Sequence, residues 1–271
     1  MEWVPGLEAR KAGVVTIGRD PLAARLDGHG REPGIGDEVF GFLPYSGSNK
    51  LGAFAEYTVS TASGLTRKPP NISHAIAAAA ATPAITALQS LRDLGRLPSG
   101  GRTLIIGASG GVGAMGVGVA KKLGGEVVAV CATHAVDFVR GLGADVVIDR
   151  KREDPLRVAK GPFDVVFDAA AASSWTATRH LLGKGGVYVT TLPGPAIVLH
   201  LGLSLFTASR AKMVMVKNRA DDLALLGRWL NEGLKVPIDS TVPVRDVVAG
   251  IKRLAAGEMR GRISVDVIGG F

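Results

Sequence analysis

Between Arg102 and Gly113 the chain reads RTLIIGASGGVG, and no other stretch limits the possible folds so strongly. Thr103-Leu104-Ile105-Ile106 has the make-up of a strand buried on both faces of a parallel sheet. It breaks directly into Gly107-Ala108-Ser109-Gly110-Gly111-Val112-Gly113, and a helix rich in Ala, Gly and Val is expected to follow. In a strand, turn and helix of this kind, one glycine permits the tight turn and one lets backbone N–H groups approach a pyrophosphate. A third lets the helix pack on the strand. The expected ligand is a dinucleotide held at Ser109, Gly110, Gly111 and Val112. Glycine-rich turns also arise simply where chains pass closely, so the rest of the chain has to decide between the two readings.

At 271 residues the chain is long enough for one large domain or two unequal lobes. With 46% hydrophobic and 21% charged residues it falls among soluble α/β proteins rather than disordered chains. The net charge of +8 and pI near 9.8 admit two readings: nucleic-acid binding, or a field that attracts small anions. The basic residues are scattered apart from Arg150-Lys151-Arg152, which favours the second. Cys131 is the only cysteine, so neither an intramolecular disulfide nor a cysteine-based zinc cluster can form, and a reducing, cytoplasmic setting is expected. The start of the sequence, MEWVPGLEARKAG, lacks the apolar core of a signal peptide. The most apolar later stretch, Ile197 to Val216, is broken by His200, Arg210 and Lys212, so no membrane span is expected.

Residues 1 to about 70 are rich in Gly and Pro, with strand-like runs at Gly13 to Ile17, Glu38 to Phe42 and Ala53 to Val59. An alanine-rich helical segment follows from Asn71 to Leu94, and Pro83 is expected to start a second helix rather than sit inside one. Beyond the glycine turn, strand-like runs recur at Glu126 to Val130, Val146 to Ile148, Val165 to Phe167, Val187 to Thr190 and Lys212 to Val216. Helical stretches lie between most of them, including Gly113 to Leu123, Ala135 to Leu142 and Ser173 to Leu182. This alternation predicts a doubly wound parallel sheet with right-handed crossovers, a Rossmann domain. A helix at Asp221 to Gly233 and a strand, helix, strand series at Val236 to Pro243, Val244 to Ala256 and Arg262 to Val267 complete the chain.

Linked motifs in a fixed order sharpen this picture. Gly36-Asp37-Glu38-Val39-Phe40-Gly41-Phe42 is followed by Gly52-Ala53-Phe54-Ala55-Glu56-Tyr57 and the Gly107 to Gly113 turn. Leu142-Gly143-Ala144-Asp145-Val146-Val147-Ile148-Asp149 and Phe163-Asp164-Val165-Val166-Phe167-Asp168 come next. Together they resemble the medium-chain dehydrogenase/reductase superfamily, in its zinc-independent quinone oxidoreductase (zeta-crystallin-like) branch. The resemblance implies an α/β fold with a partial GroES-like, β-rich catalytic lobe in residues 1–88 and 236–271, around a Rossmann NADP-binding domain in residues 89–235. It also implies a homodimer. The stretch from Val4 to Val15 resembles the middle of the family's catalytic lobe, so the resemblance leads to the expectation of a lobe without the part that ordinarily precedes it, which includes a segment with Asn and often Tyr that lines the pocket. Two expectations therefore stand side by side: a reductase, or a cofactor-binding protein with little or no catalysis.

An NAD site places Asp or Glu after the second strand to accept from the ribose hydroxyls. Here the chain reads Val130-Cys131-Ala132-Thr133-His134; the acid is absent, and Thr133 and His134 can donate to a phosphate. Arg150, Lys151 and Arg152 follow the third strand at the same end, and the family commonly has Tyr where Arg150 stands. NADPH is thus the expected cofactor, with a solvated charge run beside Glu153 and Asp154 as the other reading of the basic group. By resemblance, Thr86 lies near the nicotinamide carboxamide, Ala169 and Leu192 flank the cofactor after the fourth and fifth strands, and Arg262 is the basic residue before the last strand. Thr86 reads equally well as a helix hydroxyl bonded to backbone, and Arg262 as a surface arginine.

Zinc-dependent relatives use Cys, His and acidic ligands including Gly-His-Glu, whereas His29 lies in Gly28-His29-Gly30 with no partner at ligand spacing, so no metal is expected. Without zinc to polarise a carbonyl, the expected partner is a small, already electron-poor acceptor, a quinone or an α,β-unsaturated carbonyl. Tyr45, in Leu43-Pro44-Tyr45-Ser46-Gly47, is the candidate proton donor; a surface tyrosine and a solvent proton are the alternatives.

Overall fold

The computed structural model describes residues 14–16, 37–43, 54, 55, 58, 60, 64–192, 197–257 and 259–267. Three short strands, β1 (Val14–Thr16), β2 (Val39–Phe42) and β3 (Leu65–Arg67), pair antiparallel in that order. The expected strand from Ala53 to Val59 lies largely outside the described residues, and β3 has no counterpart in the sequence reading.

Helix α1 (His74–Leu88) begins where the Ser73 side chain accepts the Ile76 N–H. It runs straight through Pro83, which corrects the expectation of a new helix there. A proline inside a helix forfeits one backbone hydrogen bond and crowds the preceding turn. Here Ala79 to Leu88 are all buried, so packing outweighs that loss. The next turn, Gln89–Leu94, widens to π geometry. Its Gln89 amide donates to Asp222 Oδ2 (2.7 Å) and the Lys217 carbonyl (2.8 Å) and accepts the Lys217 N–H (2.8 Å). Arg92 adds an ion pair to Asp222 at 2.7 Å.

The rest of the chain alternates as expected: β4 (Arg102–Ile106), α2 (Gly111–Lys122), β5 (Glu126–Cys131), α3 (Val136–Gly141), β6 (Val146–Asp149), α4 (Pro155–Val158) and β7 (Phe163–Asp168). It continues with α5 (Trp175–Thr178), β8 (Leu182–Thr190), α6 (Ile197–Ser204), β9 (Arg210–Met213) and α7 (Ala220–Asn231). Six parallel strands form one sheet in the order β6-β5-β4-β7-β8-β9. Alternate residues serve opposite faces. Ile105, Val127, Ala129, Val165, Phe167 and Val189 pack with α1, α2 and α7, whereas Leu104, Val128, Val130, Val166 and Tyr188 pack with Trp175 on the other side. The doubly wound α/β Rossmann sheet is thus present.

Two elements depart from expectation. The helix foreseen over Ser173 to Leu182 is only α5 and one 3₁₀ turn, Arg179–Leu181. The sixth strand begins at Arg210 rather than Lys212, because Arg210 and Lys212 turn their cationic heads onto the backbone carbonyls of Ser204 (2.9 Å) and Leu94 (2.8 Å). After α7 come β10 (Ile238–Pro243), α8 (Val247–Ala256) and β11 (Arg262–Asp266), with β10 and β11 paired in parallel.

Candidate dinucleotide site

The strand order reverses direction between β4 and β7, and ligands of open α/β sheets sit beyond the strand ends at such a point. The glycine turn lies there. Gly107 has φ +83°, and a Cβ on it would stand 2.6 Å from Ala170 Cβ, so a side chain would block the loop that crosses after β7. A Cβ on Gly113 would lie 2.1 Å from the Gly107 carbonyl oxygen, so α2 starts hard against the turn. The Gly110 N–H donates to Gly107 O at 3.1 Å. Gly110 is exposed and Ser109, Gly111 and Val112 are half-buried. The N–H groups of the first turn of α2 have no acceptor within the helix, which favours an anion. Side chains at Gly107 or Gly113 would collide with Ala170 and the Gly107 carbonyl and push the turn apart, so the glycines keep the α2 N–H groups in a geometry that suits a pyrophosphate.

The last strand closes the turn from the other side. Gly261 bridges to Gly110, and its N–H donates to the Ser109 carbonyl at 3.0 Å. Arg262, half-buried, lays its side chain over Gly111, where a Cβ would come within 2.2 Å of Arg262 Cδ. The structure therefore brings Ser109, Gly110, Gly111, Val112 and Arg262 together.

At the neighbouring edge β5 and β6 end side by side, with Cys131 opposite Asp149. Thr133 and His134 follow in an exposed 3₁₀ turn, and Arg150, Lys151 and Arg152 are exposed after β6. Asp149, which the sequence offers only as the last residue of the Leu142 to Asp149 motif, accepts the Lys151 N–H (2.9 Å), pairs with Arg152 (3.4 Å) and bonds the Thr133 hydroxyl. Burial raises its pKa, but the Thr133 hydroxyl, the Lys151 N–H and the Arg152 and Arg150 charges together pull it below the ordinary carboxylate value. Thr133 is thereby already engaged. The Cys131 thiol is pushed up to about 11 by burial, with the Asp149 charge adding to it.

On the far side of the turn the Ala169 N–H donates to Ile106 O (3.0 Å), and the Thr191 hydroxyl donates to Ala169 O (3.3 Å). Leu192 is half-buried just beyond β8. Asp168, fully buried, meets the Tyr188 hydroxyl at 3.0 Å; burial and the Asp168 charge hold the Tyr188 pKa well above the ordinary phenol value. The sequence reading missed this pair, whose signal is a charged residue closing the apolar run Phe163–Asp168. Thr86 is buried in α1 and donates to the Thr82 carbonyl at 2.8 Å, as a helix hydroxyl commonly does. Helix α1 packs along α2 and reaches β11. Tyr45 and His29 lie outside the described residues.

Among the described residues no group of three His, Cys, Asp or Glu side chains is placed to hold a metal ion. Nor is any described helix long and apolar enough to cross a membrane. Sheet order, switch point and glycine cradle define a Rossmann-type dinucleotide-binding protein. Residues 142–265 match the model of the family described as zinc-binding dehydrogenase. The chain is 30% identical to the trans-enoyl reductase pgmF of Aspergillus terreus over 252 residues, covering 86% of this chain and 69% of that protein. It is 29% identical to the chloroplastic quinone-oxidoreductase QR1 of Triphysaria versicolor, covering 91% and 80%. The solved quinone oxidoreductase of Coxiella burnetii superposes with a TM-score of 0.78 at 24% identity, over 87% of this chain and 73% of that one. The chain belongs to the medium-chain dehydrogenase/reductase superfamily, among its quinone-oxidoreductase-like members.

Proposed function

We propose that the chain is an NADPH-dependent oxidoreductase that transfers hydride, without zinc, to a quinone or an α,β-unsaturated carbonyl. The observation that carries this reading is the cradle at Gly107 to Gly113, flanked by Arg262 and by the exposed cations after β6. The bound reduced nicotinamide supplies the hydride. The α2 N–H groups and Arg262 hold the pyrophosphate. Arg150, Lys151 and His134 take the 2′-phosphate, while Asp149, whose oxygens already accept from the Lys151 N–H, Arg152 and Thr133, is poorly placed to accept from the ribose hydroxyls of NADH. Ala169 and Leu192 border the nicotinamide side. The Thr86 oxygen, having donated its proton to Thr82, keeps a lone pair that can accept from the carboxamide. Tyr45 or solvent gives the proton to the acceptor oxygen.

Residues 1–88 and 236–271 act in this reading as the acceptor-binding lobe around residues 89–235, in a homodimer in a reducing, cytoplasmic compartment. The names of the relatives support the reaction class: one is a trans-enoyl reductase and another a quinone-oxidoreductase. The test is to titrate the purified chain with NADPH and NADH by nicotinamide fluorescence, then add quinones and enones. Tighter binding of NADPH and its acceptor-dependent oxidation are expected. Tight binding with no oxidation by any acceptor leaves a cofactor-binding protein and ends the enzyme reading.

A further inference from the structure

The loop after β7 is held from behind by a single buried carboxylate. Asp168 has no solvent exposure, and it accepts the N–H groups of Ala170 (3.3 Å), Ala172 (3.1 Å) and Ser173 (2.7 Å) together with the Tyr188 hydroxyl (3.0 Å). Tyr188 reaches the Ser173 carbonyl at the same 3.0 Å, so β8 grips the loop through one phenol. Within the loop Ala171 takes a left-handed conformation, φ +50°, that a residue with a Cβ seldom adopts. Such a conformation persists only where its surroundings over-determine it. The bonds to residues on either side of Ala171 do so.

The outward side of the same loop is bare. Ala170, Ala171 and Ala172 are exposed and carry nothing beyond a methyl group. The loop stands between the glycine turn and the end of β8, because Ala169 bonds Ile106 and Thr191 while Ala170 abuts Gly107. Burying a carboxylate is costly unless its hydrogen bonds are met. An apolar residue closes a loop at less cost, but it does not aim several N–H groups at one point.

We propose that Asp168, braced by Tyr188, is a positioning residue that sets the Ala169 to Ser173 backbone as the seat of the nicotinamide-side half of the dinucleotide. This rests on the reading that a nicotinamide dinucleotide lies across the turn, with its adenosine half toward β5 and β6. Loosening the loop then weakens the hold on one half of the cofactor and leaves the other half unchanged.

The variants are Asp168→Asn, which turns one acceptor oxygen into a donor, and Tyr188→Phe, which removes only the hydroxyl. Each is titrated calorimetrically with NADPH and with adenosine 2′,5′-bisphosphate, which carries only the adenosine-side groups, alongside circular dichroism and melting. NADPH is expected to bind about tenfold more weakly, and the bisphosphate within about twofold of wild type, in both folded variants. Unchanged NADPH affinity, or a parallel loss for both ligands, overturns the proposal. Should Asp168→Asn fail to fold, Tyr188→Phe decides by the same comparison. Wild-type protein that binds neither ligand overturns the functional reading itself, and the inference with it.

Discussion

Arg262 lies across Gly111: a methyl group on the glycine would sit 2.2 Å from Arg262 Cδ and 3.0 Å from its Cγ. The strand β11 is therefore in contact with the first turn of α2, and two segments far apart in sequence meet at the turn proposed to hold the pyrophosphate. Gly111→Ala pushes a flexible side chain aside, whereas Gly113→Ala meets the Gly107 carbonyl, which is backbone and cannot yield. Gly111→Ala is expected to lower NADPH affinity several-fold with little change in melting temperature. Gly113→Ala is expected to cost about 1–3 kcal/mol and to lower the melting temperature by roughly 3–10 °C. Thermal melts and cofactor titrations of the two variants check the contrast.

The exposed cations after β6 make cofactor choice testable. Replacing Arg150 and Lys151 together by Ala removes charge-assisted bonds to a 2′-phosphate, a loss of roughly tenfold or more in NADPH affinity. NADH affinity is expected to stay within about twofold, because its ribose offers no phosphate to those side chains. Parallel loss for both cofactors, measured by fluorescence titration, would show that the pair acts elsewhere.

Cys131 gives a pH signature. Its thiol is raised by burial to about 11 from an ordinary value of 9.0, so between those values the folded state holds a proton that the unfolded state has released. Its contribution is complete below about 9 and is lost as pH rises toward about 11. Denaturant melts across this window should show wild-type stability falling more steeply than that of Cys131→Ala. At neutral pH native Cys131 is expected to resist a thiol reagent that labels the denatured chain at once.

Asp222 ties α7 to the end of α1 and is 4% exposed. Asp222→Ala removes one of two partners from Arg92, which keeps Asp93 (2.6 Å), and from the Gln89 amide, which keeps the Lys217 backbone, at a cost of about 2 kcal/mol or a fall of roughly 4–8 °C in melting temperature. Calorimetry measures it, and a change under about 1 kcal/mol would mean that solvent replaces the network.

Much of the fold was legible because it follows from local rules. Thr103 to Ile106 and the glycines after it specify strand, turn and helix within a dozen residues, and the strands that alternate behind them restrict the sheet to one winding. Pro83 was misread because its cost is local whereas its compensation, the burial of the surrounding alanines, is tertiary. Arg210 stands in the sequence only as a charge interrupting the apolar stretch Ile197 to Val216, whereas in the fold its guanidinium donates to backbone carbonyls at the start of β9. The Asp168 anchor is legible only in part: a charged residue closing Phe163–Asp168 signals a buried carboxylate, but its partners, three loop N–H groups and a tyrosine from β8, are set by the tertiary fold. Thr133 was read as free to meet a phosphate, but Asp149 claims its hydroxyl across the sheet.

The most direct test of hydride transfer from NADPH is its stereochemistry. NADPH carrying deuterium on one or the other face of nicotinamide C4 is turned over with a quinone or enone, and the oxidised cofactor is weighed by mass spectrometry. The account predicts that one epimer yields NADP⁺ with its deuterium fully lost and the other with it fully kept, and only when both protein and acceptor are present. Mixed labelling from both epimers, or NADPH left unconsumed, contradicts it.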